Sequence, residues 1–402
     1  MLRTLGTERL VQRYRLLCGW CVPSLIALML LTACGQPMIA QTTANAGTRI
    51  RSFTLLSATS GWVLSDQQLL WTDDGGKTWR IITPLNLDAA AIRGVQFLND
   101  VVSGWIVASG KTDASGATPL VVFRTSDAGK TWTEQQLAQA DRQYTDSFSG
   151  LAHIQFLDRQ RGWVIIRLSS SANFSPGQLF STVDGGATWT QITVPTGDPV
   201  AFVNQSFGWN AGGPAGDKLF LTRDGGKTWQ QKDVAVPKEF AYSSPSYALP
   251  RFQNDREGVL PVTFAGSADG PSAVGFYISQ DGGQTWQLTL TLPLQEKFEA
   301  AGQAHTQIVD QQTWIVAPQE GGKLLKTADS GTSSQVVSSA DLPSGVVQVS
   351  FATPTVGWAR VTTTTCATPK TSCQTLDRLL QTTDGGQRWL PLHPLGPSAV
   401  AR

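Results

Sequence analysis

Apolar positions along this chain come in short stretches separated by clusters of Gly, Asp, Ser and Thr. In one unit these stretches are Gly94 to Leu98, Trp105 to Ala108, Leu120 to Thr125 and Trp132 to Leu137. Runs of this length bounded by turn residues read as strands. The same phrase returns at roughly 50-residue intervals, so a single repeat array replaces the two or three domains that length alone suggests.

The turn between the third and fourth strand of each unit carries the clearest signal. The segments are TDDGGKTW from Thr72, TSDAGKTW from Thr125, TVDGGATW from Thr182, TRDGGKTW from Thr222, SQDGGQTW from Ser279, TADSGTSS from Thr327 and TTDGGQRW from Thr382. The fifth-position glycine supplies the positive φ that a tight turn needs. The aspartate two residues earlier (Asp74, Asp127, Asp184, Asp224, Asp281, Asp329, Asp384) is placed to accept hydrogen bonds from the turn's own N–H groups, so its role is structural. The closing tryptophan offers an apolar plate between sheets. Ser334 replaces it in the sixth copy, and Arg388 replaces the threonine in the seventh.

A second signature precedes each turn: Gly61-Trp62, Gly104-Trp105, Gly162-Trp163, Gly208-Trp209, Gly258-Val259, Thr313-Trp314 and Gly357-Trp358, usually after a strand containing Phe. Apart from Trp20 and Trp71, all fourteen tryptophans belong to one signature or the other.

The pattern S/T-x-D-x-G-x-T-W resembles the Asp-box, or BNR repeat, of sialidases, sortilin-type receptors, some endoglucanases and photosystem II assembly factors. Together with four short strands per unit it predicts an all-β fold, a seven-bladed β-propeller of four-stranded antiparallel blades. The expected blades are about 49-84, 90-138, 150-195, 199-236, 250-292, 304-338 and 346-394, within a propeller spanning 49-395.

Residues 1-33 hold Arg3, Arg9, Arg13 and Arg15 ahead of an apolar run from Ser24 to Leu31, which reads as a secretion signal. That run is well short of the ~20 residues that span a bilayer. Leu31-Thr32-Ala33-Cys34 resembles a bacterial lipobox, which implies cleavage before Cys34, its lipidation, a short tether over 34-48 and a location on the outer face of a bacterial membrane. A conventional signal peptide cut nearby is the alternative. Loss of the signal takes the formal net charge from +1 to about −2, leaving no basic footprint for nucleic acid. Cys18 and Cys21 lie within the signal. Cys366 and Cys373, seven apart in a Thr-rich loop, are expected to form a disulfide in an exported protein.

Other chemistry finds little support. The string GKT in three boxes lacks the glycine five positions earlier that a phosphate-binding loop requires; Trp71, Arg124 and Leu221 stand there. The boxes supply mostly one carboxylate each against the six to eight oxygens of a calcium site. His153, His305 and His393 lack metal-ligand spacing and read as surface or strand-end residues. No catalytic residue, metal or cofactor is expected, although a sialidase-like or endoglucanase-like glycoside hydrolase remains the competing function.

Antiparallel blades send the first turn and the box turn to one face, and the strand-two-to-three loops and inter-blade crossings to the other. The first class stays short, whereas the second is long and varied, and scaffold-borne variable loops are where binding resides. The crossings bring Arg142, Tyr144, Lys238, Tyr242, Tyr247 and Arg251, and with Arg51 and Arg93 these are the candidate partner-binding residues. Arg51, Arg93 and Arg251 each precede an inner strand and are expected to line one mouth of the channel. The even run of seven units most resembles the photosystem II assembly and stability factor family. That resemblance implies a non-enzymatic scaffold whose partner is a membrane-protein complex, and the chain itself is expected to be a monomer.

Overall fold

The computed structural model describes residues 49–112, 114, 118–138, 148–168, 175–241, 245–265, 272–295, 304–366, 373–394 and 399–400. Within them the chain forms seven antiparallel sheets in succession, over 50–81, 92–138, 148–192, 200–231, 245–294, 305–338 and 346–392. These are the seven blades of a propeller, and only two short 3-10 turns interrupt the β-structure. In the fifth blade the inner strand is in two pieces, Pro245–Tyr247 and Arg251–Phe252, both paired to Gly258–Phe264. A two-residue strand at Ala399–Val400 pairs in parallel with Trp79–Ile81, at the outer edge of the first blade.

Aromatic residues account for how successive blades pack. The tryptophan of a Gly-Trp pair stacks on the inner-strand phenylalanine of the next blade: Trp105 on Phe156 at 3.7 Å and Trp163 on Phe202 at 4.1 Å between ring centroids. The box tryptophan of that next blade then meets the same phenylalanine edge-on, as Trp189 does with Phe156 and Trp229 with Phe202. The glycine is required because the phenylalanine lies flat over it: a Cβ on Gly162 would stand 2.5 Å from the Phe156 ring. Between the first and second blades Trp71, not Trp62, meets the phenylalanine, its ring 4.8 Å from Phe97 and tilted by 50°.

The sixth blade departs from this plan, and the departure corrects one expectation. The motif pattern pairs Trp314 with Thr313 as a Gly-Trp equivalent, yet Trp314 sits opposite Thr327, the register position that glycine holds elsewhere (Gly104 opposite Thr125, Gly162 opposite Thr182). Ile308 replaces the phenylalanine, leaving room for a large residue there. Trp314 also covers Gly331 of the box that lacks its own tryptophan, approaching to 2.6 Å of where a Cβ would stand.

Inner strands are clamped to their neighbours by side chains. Gln96 accepts from the Phe156 N–H and donates to its carbonyl, and Gln155 does the same to Phe202, as Gln307 does to Phe351. Both backbone groups of a strand edge that would otherwise face the channel are thereby paired. In the fifth blade Arg251 takes the slot and donates to the Ile308 carbonyl at 2.9 Å; in the fourth, Ala201 occupies it.

Candidate functional site

The box face is built the same way in every blade. In the second box the Thr125 hydroxyl donates to Asp127 at 2.7 Å, and Asp127 also accepts from the Thr131 N–H and hydroxyl at 2.9 and 2.6 Å. The Gly129 N–H donates to the Thr125 hydroxyl. The two departing boxes keep this geometry, with Ser333 donating to Asp329, and the Arg388 N–H and guanidinium donating to Asp384. Burial pushes the Asp127 carboxyl up, but these hydrogen bonds outweigh it and lower its pKa to about 2.

A second sevenfold device on this face has no counterpart among the sequence motifs. In each first turn a side-chain oxygen caps two backbone N–H groups two and three residues on: Ser57, Asp100, Asp158, Asn204, Asn254, Asp310 and Thr353. The N–H after each box aspartate then donates to a carbonyl of that first turn, at 2.7–3.1 Å in all seven blades. Box turn and first turn are thus zipped together on one face. The signal is present as Asp, Asn, Ser or Thr three residues before the position preceding Gly-Trp, but it is spread over four residue types.

Charge of varied kind gathers on the opposite face. Arg51 donates to the carbonyls of Ala89 and Ile92 at 3.0 and 2.6 Å. Burial lowers its pKa, Asp66 opposes that, and the nearby Arg93 and Arg49 add to it. Arg93 donates to Ser109 at 3.1 Å. Arg360 donates to the carbonyls of Ile50 and Arg51, joining the seventh blade to the first, and Asp377 accepts from the Ile50 N–H. Arg167 pairs with Asp198 at 2.9 Å, and Asp198 in turn accepts from the Gly213 N–H at 2.7 Å. Arg167, Asp198 and Arg360 are not among the sequence candidates, because only the fold brings them to this mouth.

Two candidates are corrected. Tyr247 is buried, packed with Val234, Phe240 and Phe264, and burial raises its phenol pKa, so it is a core residue of the fifth blade and not a contact residue. Arg251 stands in the inter-blade clamp and lines the cavity of about 950 Å³ among the first turns, on the face opposite to Arg93. Arg251 stands opposite Val259 as Gln155 stands opposite Trp163, so it holds the ordinary clamp position near the first turn, whereas Arg93 lies at the start of its inner strand; Tyr247 pairs with Val262 in the first piece of the strand. Lys238 is exposed beside Phe240, which is buried and stacks on Phe264 at 4.9 Å. Arg142, Tyr144, Tyr242 and Cys34 lie outside the described residues.

His153 and His305 also differ from the surface reading. The Nδ1 of His153 and the Nε2 of His305 are out of solvent reach with no hydrogen-bond partner among the described residues. Burial lowers the His153 pKa to about 4 and lowers that of His305, with Arg360 adding to the second effect. Cys366 and Cys373 form a disulfide with a sulfur separation of 2.03 Å, at the end of the long hairpin of the seventh blade. Among the described residues no three His, Cys, Asp or Glu side chains gather as a metal site requires.

Comparison with known proteins fits this architecture. The BNR/Asp-box repeat model matches residues 277–288, the third strand and box of the fifth blade. Among solved structures, YCF48 from Cyanidioschyzon merolae is similar over 75% of this chain and 88% of its own, at 16% identity and a TM-score of 0.46. The GH74 enzyme of Niastella koreensis is similar over 84% of this chain and 61% of its own, at 12% identity and a TM-score of 0.37. An alpha-L-arabinofuranosidase, arb93a from Fusarium graminearum, is similar over 69% of this chain and 89% of its own, at 13% identity and a TM-score of 0.43. No curated protein sequence matches the chain.

Proposed function

We propose that this protein is a non-enzymatic extracytoplasmic scaffold, anchored through a lipidated Cys34, that holds a membrane-protein partner on the face formed by its crossings and second loops. The observation that carries this reading is the contrast between faces. On the box face every blade commits its polar side chains to one repeated hydrogen-bond pattern. On the other face the charged groups differ from blade to blade, with Arg51, Arg93, Arg167 and Arg360 supplied by four different blades. Repetition serves the fold; variation is what recognition uses. The likeness of the seven repeated units to photosystem II assembly and stability factors supplies the class of partner.

Glycoside hydrolysis is the competing function. A glycosidase needs one carboxyl with a raised pKa to protonate the leaving group, beside a second, ionised one. Among the described residues, every carboxylate displaced from its ordinary pKa is displaced downward, Asp100 and Asp158 in the first turns included. Such groups are hydrogen-bonded anions unsuited to proton donation.

The test is affinity capture from the native membrane with the mature chain and with a variant in which Arg142, Tyr144, Lys238 and Tyr242 are alanine, alongside assays on a fluorogenic sialoside, a β-glucan and an arabinan. The scaffold predicts recovery of a membrane-protein complex that the variant loses at unchanged melting temperature. Turnover abolished by a single carboxylate substitution overturns the proposal in favour of a hydrolase.

A further inference from the structure

Ala201 interrupts the ring of inter-blade clamps. It stands opposite Trp209, in the register that Gln96, Gln155 and Gln307 hold opposite Trp105, Trp163 and Ile315. Each of those glutamines commits its whole carboxamide to one residue of the next inner strand. Gln155 donates to the Phe202 carbonyl at 2.9 Å and accepts from the Phe202 N–H at 2.6 Å, and Gln307 treats Phe351 in the same way. In the fifth blade the corresponding residue is Phe252, opposite Gly258 as Phe202 is opposite Gly208.

Register also sets where the Phe252 backbone groups point. Antiparallel ladder bonds fall on alternate residues. The Gln253 N–H donates to the Glu257 carbonyl at 3.1 Å, so Phe252, one residue earlier, turns its N–H and carbonyl away from the second strand and toward the channel. Among the described residues neither group has a hydrogen-bond partner, because the methyl of Ala201 can neither donate nor accept. Phe252 is only half-buried, whereas the clamped Phe202 and Phe351 are buried. Ala201 and Phe252 both line the cavity of about 950 Å³ at the first-turn end of the channel. In the seventh blade, by contrast, Ser350 accepts from the Leu55 N–H at 3.0 Å, and beside Thr54 of the first blade Phe97 stays buried.

We propose that this gap is a binding site for a primary carboxamide, as carried by a glutamine side chain, which completes the clamp from outside the chain. The wall asks for an acceptor and a donor side by side, one for the Phe252 N–H and one for its carbonyl. A primary carboxamide offers that pair. A carboxylate has only acceptors, an ammonium group has only donors, and an aliphatic side chain has neither. A single backbone amide has both, but its trans geometry points them in opposite directions. The cavity leaves space for whatever carries the carboxamide. The site lies at the opposite end of the channel from the crossings, so it is independent of the proposed scaffold face.

The experiment follows the Phe252 amide by NMR in the full chain carrying nitrogen-labelled phenylalanine, with Phe252→Tyr to assign its signal. The probes are acetyl-Ala-Gln-Ala N-methylamide, its Leu and Glu counterparts, and free L-glutamine. The Gln peptide is expected to move the Phe252 signal downfield and saturably, and the Leu and Glu peptides to bind at least about fivefold more weakly. Ala201→Gln is expected to place that signal near its ligand-bound position with no ligand added, and to abolish the response to the Gln peptide. Free L-glutamine binding as well as the peptide supports the site with a small molecule as its ligand; a tighter peptide supports it with a protein segment. An unmoved Phe252 signal, a Leu or Glu peptide that binds as tightly as the Gln peptide, or undiminished binding by Ala201→Gln overturns the proposal. Should Ala201→Gln fail to fold, the peptide comparison on the parent chain decides by itself.

Discussion

At the residue scale the box is a small machine for holding a turn closed. Asp127 accepts three hydrogen bonds within its own box, and its removal leaves the Thr131 N–H without its partner. Asp127→Ala is expected to cost about 1–2 kcal/mol, read as a lower urea midpoint. Gly226→Ala attacks the same device through the backbone: φ is +90° there, and a Cβ would stand 2.8 Å from the Ile192 side chain of the preceding blade. Its cost is about 1 kcal/mol or more. Melting temperatures equal to that of the parent chain in both variants refute this structural role. All of it is legible in eight residues, because donor, acceptor and positive φ are local.

At the element scale the sheets are joined by aromatic trios and by side-chain clamps, and these are only half legible in the sequence. The Gly, Trp and Phe stand out as motifs, but the tryptophan of one blade and the phenylalanine of the next are about 50 residues apart, and their stacking becomes apparent only in three dimensions. The clamps are not legible at all, since a glutamine on a strand carries no local mark of its partner. Gln96→Leu is expected to cost on the order of 1–3 kcal/mol, because it strips partners from the Phe156 N–H and carbonyl together. The reciprocal change, Ala201→Gln, installs a clamp where the fourth blade has none and is expected to raise the melting temperature. A Gln96→Leu protein as stable as its parent shows that water replaces the clamp without loss.

At the scale of the whole molecule the repeated boxes make stability depend on acid. Asp184, Asp224 and Asp329 are lowered to about 2 chiefly by the hydroxyls of Thr188, Thr228 and Ser333. In Asp127 and Asp281 burial opposes the same bonds and loses to them. A carboxylate whose folded pKa is depressed contributes stability above its unfolded value of 3.8, and that contribution is lost as pH falls toward about 2. His153 acts in an earlier window: its folded pKa of about 4 lies below the ordinary 6.5, so its neutral form stabilises the fold above that value and the contribution is lost as pH falls between the two. Urea midpoints measured against pH are therefore expected to decline first between about 6.5 and 4, then more steeply toward 2. In His153→Gln the first decline shrinks and the second remains. A midpoint that is flat down to pH 3 contradicts both assignments.

Blade number, strand order, the division of loops between two faces and the structural role of the box aspartates come from the sequence by itself, because each rests on a local pattern repeated seven times. The groups that converge at the channel mouths do not. Arg167 and Asp198 are 31 residues apart, and Arg360 reaches Ile50 across 310. Tyr247 and Arg251 sit in one crossing by sequence, yet pairing with the second strand places one in the core, opposite Val262, and the other in the clamp position near the first turn, opposite Val259. Where a side chain points depends on its register, and the backbone pairing that sets it comes from residues 258–264, beyond the reach of any local pattern.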